Sequence, residues 1–462
     1  MFEYKRDVYN SLPDYLKRIV CKIPYEFLAG KAYRSTKLDL NKIEYASHEE
    51  IVKYQENALF RILDFSTLHV PAYRQHRRFV ERLSAFEALK DFPFLSKERL
   101  QSKLNDYIPK CISAIAHHKA YTGGSSGNQL VFYEEDMSYA REMAFIHHQW
   151  KRVGYKPKFK KATFRGVPLK KNNGAYWQEN PIHNEMQFSP FHINSKTINK
   201  YIEQLIGYKP IYLHGYPSAI DRIAEFILRD EFNGELPPIK AALLGSESCS
   251  IQQRKRIEKA FKTKVFTWYG QSERVILAGE CEKNASFHHV PNYGFLEIVN
   301  NDGNSVLEGE KGELVGTGFW NRAMPLIRYK TGDYAVKEEL SGCCKRNWPR
   351  FSDVQGRWNI ESIFGYNGSR ISAAALNMHG DLYKNVIQSQ YYQNQIGKLE
   401  IRLVVSPTFS KNDALRIEEE HKKKIWDELD ISIKIVDELP LTTGGKQLRI
   451  INELNKKVAV KK

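Results

Sequence analysis

The chain of 462 residues has few cysteines and no long apolar run. Six cysteines in a chain of this length are too few for a disulfide scaffold, and they suit a reducing compartment. No apolar stretch reaches the roughly 18 residues that a membrane-spanning helix needs. The first twenty residues mix charges, unlike the apolar centre of a secretion signal. These absences argue against a disulfide-rich secreted domain and a transmembrane protein, and we expect a cytoplasmic protein.

The composition favours a folded protein with an anionic partner. Hydrophobic residues make up 42% and aromatic residues 12% of the chain, which is sufficient for packed cores. The formal net charge of +16, concentrated partly in residues 154–171 and 455–462, indicates a nucleotide, a nucleic acid, an acidic glycan or a membrane headgroup as partner. The alternative to an anionic partner is that these basic runs only form a solvated surface. The basic runs lack interleaved aromatic residues, so nucleic acid is not expected, whereas peripheral membrane contact stays open.

The order of helical and strand patterns predicts an α/β protein. Residues up to about 115 read as helices, with helical spacing clearest at residues 51–70. From about 205 to 300, short apolar strands alternate with helices, one capped by Ser218 and another opened by a capping box of Ser250 and Gln253. Such alternation is typical of parallel sheets that bind ligands at the strand ends.

The pattern changes again after residues 356–358. Alternating strand candidates at 398–405 and 431–436 flank a helical stretch at 412–429. We therefore predict a large domain of residues 1–358 and a small α+β domain of residues 359–462. A chain of 462 residues is also longer than one hydrophobic core usually organises.

The stretch YTGGSSGNQLVFY, residues 121–133, joins a glycine-rich and serine-rich loop to an apolar, β-rich segment. Taken alone, such a loop is most often a flexible connector. It does not match the Walker phosphate loop, because no Lys-Ser or Lys-Thr follows a glycine at the required spacing. Its glycines nevertheless allow the backbone to approach a phosphate closely, and Thr122, Ser125 and Ser126 add hydroxyl donors.

Four further stretches place polar side chains beside glycines or aromatic residues. They are WYGQSERVILAGEC at 268–281, RYKTGDYA at 328–335, GRW at 356–358 and LTTGGKQLRI at 441–450. Each has an ordinary interpretation by itself. Aromatic residues at strand ends usually pack in a core, TGD is a common turn that would hold Asp333, and a lysine near the C-terminus is usually solvated. The order of these stretches along the chain is more informative than any one of them.

The series TGGSSG, GSE, YGQSE, YKTGD, GR and GGK resembles, in this order, the motif set of the adenylate-forming superfamily. This superfamily contains acyl-CoA synthetases, luciferases and peptide-synthetase adenylation domains. The phrases HVPAYR, DFPFLSKERL, LHGYPSAI and NRAMPLIRYKTGD are similar to the phenylacetate-CoA ligase branch, which includes CapK-like capsule-biosynthesis proteins. The resemblance covers residues 45–455 and implies a large N-terminal domain with parallel-rich sheets and a small, mobile C-terminal domain.

The resemblance implies a role for each motif. Asp333 would bind the ribose hydroxyls of ATP, Glu273 would hold Mg²⁺ through carboxylate oxygen, and Lys446 would stabilise charge as the substrate carboxylate displaces pyrophosphate. Glu273 and Lys446 are thus the implied catalytic residues. The residues implied to hold the nucleotide are Thr122, Gly123, Gly124, Ser125, Ser126, Gly127, Gly245, Ser246, Glu247, Trp268, Tyr269, Gly270, Ser272, Asp333 and Arg357.

The chain departs from the family pattern at two positions. The family loop commonly continues Gly-Lys-Pro, whereas here Gly127 is followed by Asn128 and Gln129, so one cation that would neutralise phosphate is missing. The hinge position, usually Asp or Lys, is Asn359, which is still polar. The first departure predicts slower catalysis or help from another basic side chain.

Several cysteine and histidine residues resemble a structural zinc site that some members of this branch use. Cys281, then His288 or His289, then Cys343 and Cys344 supply the thiolate and imidazole ligands that tetrahedral Zn²⁺ prefers. Adjacent cysteines are poorly placed to bind one ion together. Ordinary buried or free thiols are the alternative.

These motifs predict an AMP-forming carboxylate ligase. A carboxylate and ATP would give an acyl-adenylate and pyrophosphate, and the acyl group would pass to coenzyme A or to an amine or sugar acceptor. The CapK-like resemblance favours a role in surface polysaccharide biosynthesis. The alternative is a degenerate, non-catalytic member that binds a polyanion through its basic surface. ATP binding separates the two, because the alternative does not require it.

Overall fold

The computed structural model describes residues 16–17, 22–122, 130–169, 176–229, 232, 234–340, 344–356, 362–378, 380–440 and 448–454. The chain forms two compact units. The first unit comprises Met1–Ala120, Val131–Lys158 and Phe266–Gly356, and the second comprises Tyr121–Leu130, Phe159–Val265 and Arg357–Lys462. The predicted domains 1–358 and 359–462 stay a prediction, since their boundary lies among residues 357–361, outside the described part.

The first unit begins with helices, as predicted for the first 115 residues. Helix His48–His69 starts at a capping box, in which the side chains of Ser47 and Glu50 each accept a hydrogen bond from the other's backbone N–H. Its Leu59 and Leu63 are fully buried. The helices of this unit are Tyr25–Leu28, Gly30–Ile43, His48–His69, Arg77–Arg82, Ala85–Asp91, Lys97–Ser102 and Ser138–Trp150, with 3-10 turns at Pro71–His76, Leu104–Tyr107, Ile112–Ala114 and Lys151–Val153.

An antiparallel sheet forms the other half of the first unit. Its neighbouring strands pair antiparallel throughout. In spatial order the strands are Gly294–Val299, Lys311–Gly318, Tyr329–Glu338, Arg350–Gln355, Phe287–His289, Leu277–Glu280 and Lys264–Gly270. A separate two-stranded sheet joins His117–Tyr121 to Val131–Glu135, on either side of the glycine-rich loop.

The second unit contains the predicted parallel sheet. Strands Ala241–Leu244, Tyr212–Gly215, Lys161–Phe164 and Glu185–Phe188 are parallel neighbours, and Trp177–Asn180 adds an antiparallel edge strand. The helices that alternate with them are Ile198–Tyr208, Pro217–Leu228 and Ile251–Phe261, with a 3-10 turn at Pro181–His183. The predicted alternation of strands and helices is confirmed up to residue 261, whereas residues 264–299 contain strands and no helix.

Two helix starts in this unit test the capping predictions. The capping box of Ser250 and Gln253 is confirmed. The predicted cap by Ser218 is wrong, because the helix begins one residue earlier, at Pro217, with Tyr216 in the cap position. Proline at the first helical position has its backbone angle already set for the helix and lacks an N–H that would have no partner there.

The C-terminal residues contribute a second sheet to the second unit. Its strands, in spatial order, are Asp430–Ile435, Lys398–Val405, Val386–Gln393 and Ile450–Asn452. Helix Lys411–Ile425 buries Ile417 and Ile425. The two strands and the helix predicted for this region are therefore confirmed. Smaller elements are the strands Ser362–Phe364 and Arg370–Ser372, the helix Ala373–Leu376 and the 3-10 turn Asp381–Tyr383.

Across the described parts of both units, no helix combines the length and the apolar character that crossing a bilayer requires.

A buried histidine in the C-terminal helix makes stability depend on pH. His421 is fully buried, and its Nδ1 donates a hydrogen bond to the carbonyl oxygen of Ile417 at 2.7 Å. Its Nε2 lies 3.1 Å from the hydroxyl of Tyr391. Burial lowers the pKa of His421 from 6.5 to about 3, since a charged imidazole would lose its hydration.

We expect His421 to contribute its full stabilisation above pH 6.5 and to lose it as the pH falls towards 3, because only the unfolded chain binds the proton in that range. The difference in free energy of unfolding between wild type and His421→Asn should therefore shrink by about 2 kcal/mol from pH 7.5 to pH 5. Urea denaturation at several pH values measures it. A difference that does not change with pH would contradict the buried neutral state of His421. The matched control substitution is His48→Asn, at an exposed helix position.

Candidate active site

Two predicted motifs meet in the first unit. The hydroxyl of Tyr329 donates to a carboxylate oxygen of Glu273 at 2.8 Å, and the hydroxyl of Tyr269 donates to a carboxylate oxygen of Asp333 at 2.9 Å. Burial, and after it the charge of Asp333, raises the pKa of Tyr269, so the phenol keeps the proton that it donates. Two hydrogen bonds therefore join YGQSE to RYKTGD and orient the two carboxylates predicted to serve the nucleotide.

The prediction that Asp333 lies in a turn is wrong. Asp333 lies inside strand Tyr329–Glu338, whose register with the neighbouring strand shifts between Glu313 and Val315. Gly332 has a φ of +72°, which glycine adopts without a Cβ clash. An irregularity of this kind is a β-bulge, and bulges redirect side chains. The direction of the Asp333 side chain therefore follows from a bulge within a strand.

The turn after strand Lys264–Gly270 presents Glu273 together with Arg274. The backbone N–H of Arg274 donates to the carbonyl oxygen of Gln271 at 3.1 Å, and Arg274 has a φ of +53°. This left-handed conformation costs a non-glycine residue of the order of 1–3 kcal/mol, and it is found most often at functional sites. The Arg274 guanidinium lies 3.3 Å from the carboxylate of Glu134.

In the second unit, Gly245, Ser246 and Glu247, which the resemblance implies hold the nucleotide, follow the carboxyl end of parallel strand Ala241–Leu244. Ligands of α/β sheets bind at such strand ends. The Glu247 carboxylate accepts hydrogen bonds from the backbone N–H of Ser218, at 3.2 Å, and from the hydroxyl of Ser372. Arg165 donates to the hydroxyl of Ser246 at 2.9 Å. The side chain of Glu247 thus holds this strand end in place.

Thr122 forms the base of the glycine-rich loop. Its backbone N–H donates to the carbonyl oxygen of Leu130 at 3.0 Å, and its hydroxyl oxygen accepts from the backbone N–H of Leu130 at 2.9 Å. Its hydroxyl proton is not used in either bond. The other predicted loop residues, Gly123, Gly124, Ser125, Ser126 and Gly127, lie outside the described residues, as do Arg357 and Lys446.

The same fold occurs in solved adenylate-forming ligases. 2-Hydroxyisobutyryl-CoA ligase in complex with 2-HIB-AMP and CoA, in the thioesterification state, matches with a TM-score of 0.59 over 91% of this chain and 94% of that chain, at 16% identity. The same ligase in its postadenylation state matches with a TM-score of 0.57 over the same shares. The predicted fold class is therefore confirmed.

Sequence relatives refine the family. Residues 363–453 match the CapK C-terminal domain. The chain is 28% identical to Protein CapK of Staphylococcus aureus over 379 residues, which are 79% of this chain and 80% of that protein. It is 24% identical to phenylacetate-coenzyme A ligase of Escherichia coli strain K12 over 337 residues, 70% and 74% of the two chains. Over most of its length the chain is therefore similar to Protein CapK and to phenylacetate-coenzyme A ligase.

In this CapK-like protein, two cysteines and a histidine cluster at the antiparallel sheet of the first unit. The ligand atoms of Cys281, His288 and Cys344 all lie within 4.8 Å of one another, and Cys344 Sγ is 3.3 Å from His288 Nε2. Ligand atoms of tetrahedral zinc lie roughly 3.5 Å apart, given bonds of about 2.0–2.3 Å. These three side chains fit Zn²⁺, while the fourth predicted ligand, Cys343, lies outside the described residues.

The structure distinguishes between the two histidines that the sequence offered. His288 joins the cysteines, whereas Nε2 of His289 lies 2.8 Å from the carbonyl oxygen of Gly294. Successive strand residues point to opposite faces, so only one of the two can face the cluster. Arg346 Nη1 lies 3.6 Å from Cys344 Sγ, and a guanidinium at this place favours the thiolate form that binds metal.

A cavity of about 350 Å³, including its mouth, opens beside Glu273 within the first unit. Its charged and aromatic lining includes Glu134, Arg141, Glu142, Glu273, Arg274 and Trp320. Ligand pockets are usually lined mainly by apolar side chains, with few polar groups. The lining of this cavity contains three carboxylates and two guanidinium groups, although most of its accessible surface is apolar.

The sequence analysis missed most of the side chains around this cavity. Arg274 could have been found, because it directly follows Glu273 in a quoted motif. Tyr329 also stands in a quoted motif, but its sequence does not reveal that its hydroxyl reaches Glu273. Glu142, on helix Ser138–Trp150, and Trp320, after a strand, belong to no motif. Only the tertiary fold brings them to the cavity.

Proposed function

We propose that this protein activates a carboxylic acid with ATP and then transfers the acyl group to coenzyme A or another acceptor. A carboxylate oxygen attacks the α-phosphorus of ATP, the bond from that phosphorus to the leaving pyrophosphate breaks, and an acyl-adenylate forms. A nucleophile of the acceptor then attacks the acyl carbonyl, and AMP leaves. The ligase relatives and the order of the motifs support this reaction.

The observation that carries the proposal is the pair of hydrogen bonds between YGQSE and RYKTGD. Tyr269 orients the half-exposed Asp333, and Tyr329 orients the half-exposed Glu273. An oriented carboxylate is what ribose hydroxyls and Mg²⁺ each require. Mg²⁺, when bound, neutralises phosphate charge as pyrophosphate leaves. A protein that only binds polyanions through its surface needs neither of these two contacts.

The remaining roles are proposed from the family resemblance. Residues 122–127 would hold the β- and γ-phosphates of ATP. Residues 245–247 and 268–270 would bind its adenine, and Arg357 would lie near its ribose. Ser272, beside Glu273, completes the nucleotide set. Lys446 would offset the repulsion between the attacking carboxylate and the α-phosphate. The small domain of residues 359–462 would rotate after this step, so that Lys446 serves adenylation alone.

The similarity to Protein CapK supports a role in surface or capsular polysaccharide biosynthesis. In that setting the final acceptor would be an amine or hydroxyl group of a sugar, with or without a coenzyme A thioester in between. The charge of +16 suits both the polyphosphate substrate and a polyanion. The degenerate polyanion-binding alternative is distinguished by whether ATP binds.

We also propose that Cys281, His288 and at least one of Cys343 and Cys344 hold a structural Zn²⁺. The spacing of the described ligand atoms supports this role. Burial, reinforced by the charge of neighbouring arginines, lowers the pKa of His288 to about 3, and a ligating imidazole must be neutral. The metal would join the hairpin of residues 277–289 to the segment that follows residue 343.

ATP with Mg²⁺ should bind to the folded protein, and Glu273→Gln should weaken the dependence on Mg²⁺, because an amide is a poorer ligand for a hard cation than a carboxylate. Isothermal titration with ATP at several Mg²⁺ concentrations measures both. Glu308→Gln, at an exposed position of the same unit, is the control. Absence of ATP binding would refute the ligase proposal, whereas unchanged Mg²⁺ dependence in Glu273→Gln would refute only the role of Glu273.

Lys446→Ala should slow adenylate formation by roughly 10²- to 10³-fold with little change in ATP affinity, the scale for losing one electrostatic contact in a transition state. Transfer from pre-formed acyl-adenylate should stay near the wild-type rate. Pyrophosphate release over a library of carboxylic acids, with and without coenzyme A, measures the first step, and AMP release measures the second. Lys423→Ala, at an exposed position of helix Lys411–Ile425, is the control. Wild-type rates of Lys446→Ala in both steps would mean that Lys446 is an ordinary surface residue.

Protein purified without chelator should contain close to one equivalent of zinc, and removing the zinc should lower the melting temperature, because a structural metal adds to folding free energy. Elemental analysis and thermal melts measure these two quantities. Cys281→Ala should lose the metal, while Cys111→Ala, outside the cluster, should retain it. Less than about a tenth of an equivalent in the wild type would refute the site, since structural sites are filled almost completely.

A further inference from the structure

We propose that Arg165 binds an oxyanion of the two substrates, either a phosphate group of ATP or the carboxylate of the acid. Arg165 lies in the basic run of residues 154–171, for which a solvated surface was the alternative interpretation. It belongs to none of the motifs to which the resemblance gives a role. This inference rests on the proposed function and adds a binding residue to it.

The parallel sheet of the second unit changes its direction of growth beside Arg165. After strand Lys161–Phe164 the chain adds Glu185–Phe188 on one side, and it then returns to add Tyr212–Gly215 on the other side. Open α/β sheets bind their ligands in the crevice outside the carboxyl ends of the two strands at which the order reverses. Arg165 directly follows the first of these two strands, and Tyr216 directly follows the second. Both residues therefore lie where the topology places a ligand.

Two contacts hold the half-exposed side chain of Arg165 at this edge of the sheet. Its Nη2 donates to the hydroxyl oxygen of Ser246 at 2.9 Å, and its guanidinium lies 5.9 Å from the centroid of the Tyr216 ring. Ser246 has a φ of +68°, and non-glycine residues in this strained conformation cluster at functional sites. Ser246 is also one of the residues implied to hold the nucleotide. The guanidinium is thus oriented towards a predicted substrate site.

The charge of Arg165 is not paired within the described part of the chain. Its recorded partners there are a serine hydroxyl and a tyrosine ring, and none of them is a carboxylate. The nearby carboxylate of Glu247 accepts instead from Ser218 and Ser372. A guanidinium has five N–H donors, and its planar fork fits a carboxylate or a phosphate. An anionic ligand is therefore the partner that this side chain lacks.

A helix that begins at the same edge also favours an anion. Helix Pro217–Leu228 starts directly after Tyr216 and has twelve residues. The positive end of its dipole lies at this start and attracts negative charge. The helix start and the guanidinium of Arg165 therefore favour the same kind of ligand.

The proposed reaction calls for a cation at such a place. ATP and the attacking carboxylate are both anions, and a positioned positive charge lowers their repulsion. The glycine-rich loop lacks one cation, because Asn128 stands where the family loop commonly has lysine. Arg165 supplies a fixed charge from another part of the second unit. This is the help from a basic side chain that the departure at Asn128 predicted.

The test compares wild type, Arg165→Met and Arg165→Lys in the full-length protein. Isothermal titration measures the affinity for ATP with Mg²⁺ and for adenosine, and pyrophosphate release measures the KM for the best acid of the library. Arg165→Met should lose about 10- to 100-fold, the scale for a hydrogen bond to a charged group. The loss falls on ATP if Arg165 binds phosphate and on the KM for the acid if it binds the carboxylate. Affinity for adenosine, which has no phosphate, should not change.

Two further variants test the reason for the loss. Arg165→Lys should recover part of it, because the charge remains while the planar fork is lost. Arg229→Met is the matched control and should keep the wild-type values. Arg229 is exposed and lies at the opposite end of helix Pro217–Leu228 from Tyr216.

Modification of wild type with phenylglyoxal, mapped by mass spectrometry of peptides, gives a second measurement should Arg165→Met fail to fold. ATP with Mg²⁺, or the best acid, should slow the modification of Arg165 several-fold and leave that of Arg229 unchanged. Modification of Arg165 at the same rate with and without either substrate would overturn the inference.

The outcomes separate this inference from the proposed function. Unchanged ATP affinity and unchanged KM for the acid in a folded Arg165→Met overturn the role of Arg165 and leave the ligase activity standing. Equal losses for ATP and for adenosine also overturn it, since Arg165 would then only shape the adenine site. Failure of the wild type to bind ATP refutes the proposed function, and this inference with it.

Discussion

The candidate active site depends on one constraint, the joining of a turn to an irregular strand by two tyrosine hydroxyls. Tyr329 reaches Glu273 in the turn, and Tyr269, at the end of the strand before the turn, reaches Asp333. The strand Tyr329–Glu338 bulges at Gly332, which has a positive φ and directly precedes Asp333. A regular strand would alternate its side chains strictly and would not aim Asp333 in this way. The orientation of Asp333 thus follows from backbone geometry in the antiparallel sheet.

The same turn also brings two side chains of opposite charge to the neighbouring cavity. Glu273 and Arg274 are consecutive, and the left-handed backbone at Arg274 lets both line one space. Burying so many charges is costly unless they are paired or meet a polar ligand. Glu134 forms an ion pair with Arg274, and Arg141 forms one with Glu135. These two ion pairs offset part of the free-energy cost of burying the charges.

The cluster of Cys281, His288 and Cys344 shows how a short local pattern and a distant segment combine. Cys281 and His288 come together through an antiparallel hairpin, in which His288 pairs with Gly279, and their short separation in sequence made this pairing predictable. Cys344 lies more than fifty residues further along the chain, and its approach to His288 depends on the neighbouring strand Arg350–Gln355, which pairs with Phe287–His289. Whether a thiol reaches a histidine across such a separation is decided by sheet order, which the spacing of residues does not show.

The sequence alone was sufficient to predict the similarity to CapK and phenylacetate-CoA ligases, the fold class, the parallel strands with their helices, and the motifs that contain Glu273 and Asp333. These are carried by local periodicity, by the capping box of Ser250 and by the order of short motifs, all of which are legible over a few residues. The sequence did not predict four features: the antiparallel sheet of the first unit, the bulge at Gly332, the choice between His288 and His289, and the cavity that Glu142 and Arg274 both line. Those features depend on which strands become neighbours and on which side chains meet across long separations. Only the packed tertiary structure decides them, because many small contact energies across the whole unit select one sheet order from the many that the local patterns allow.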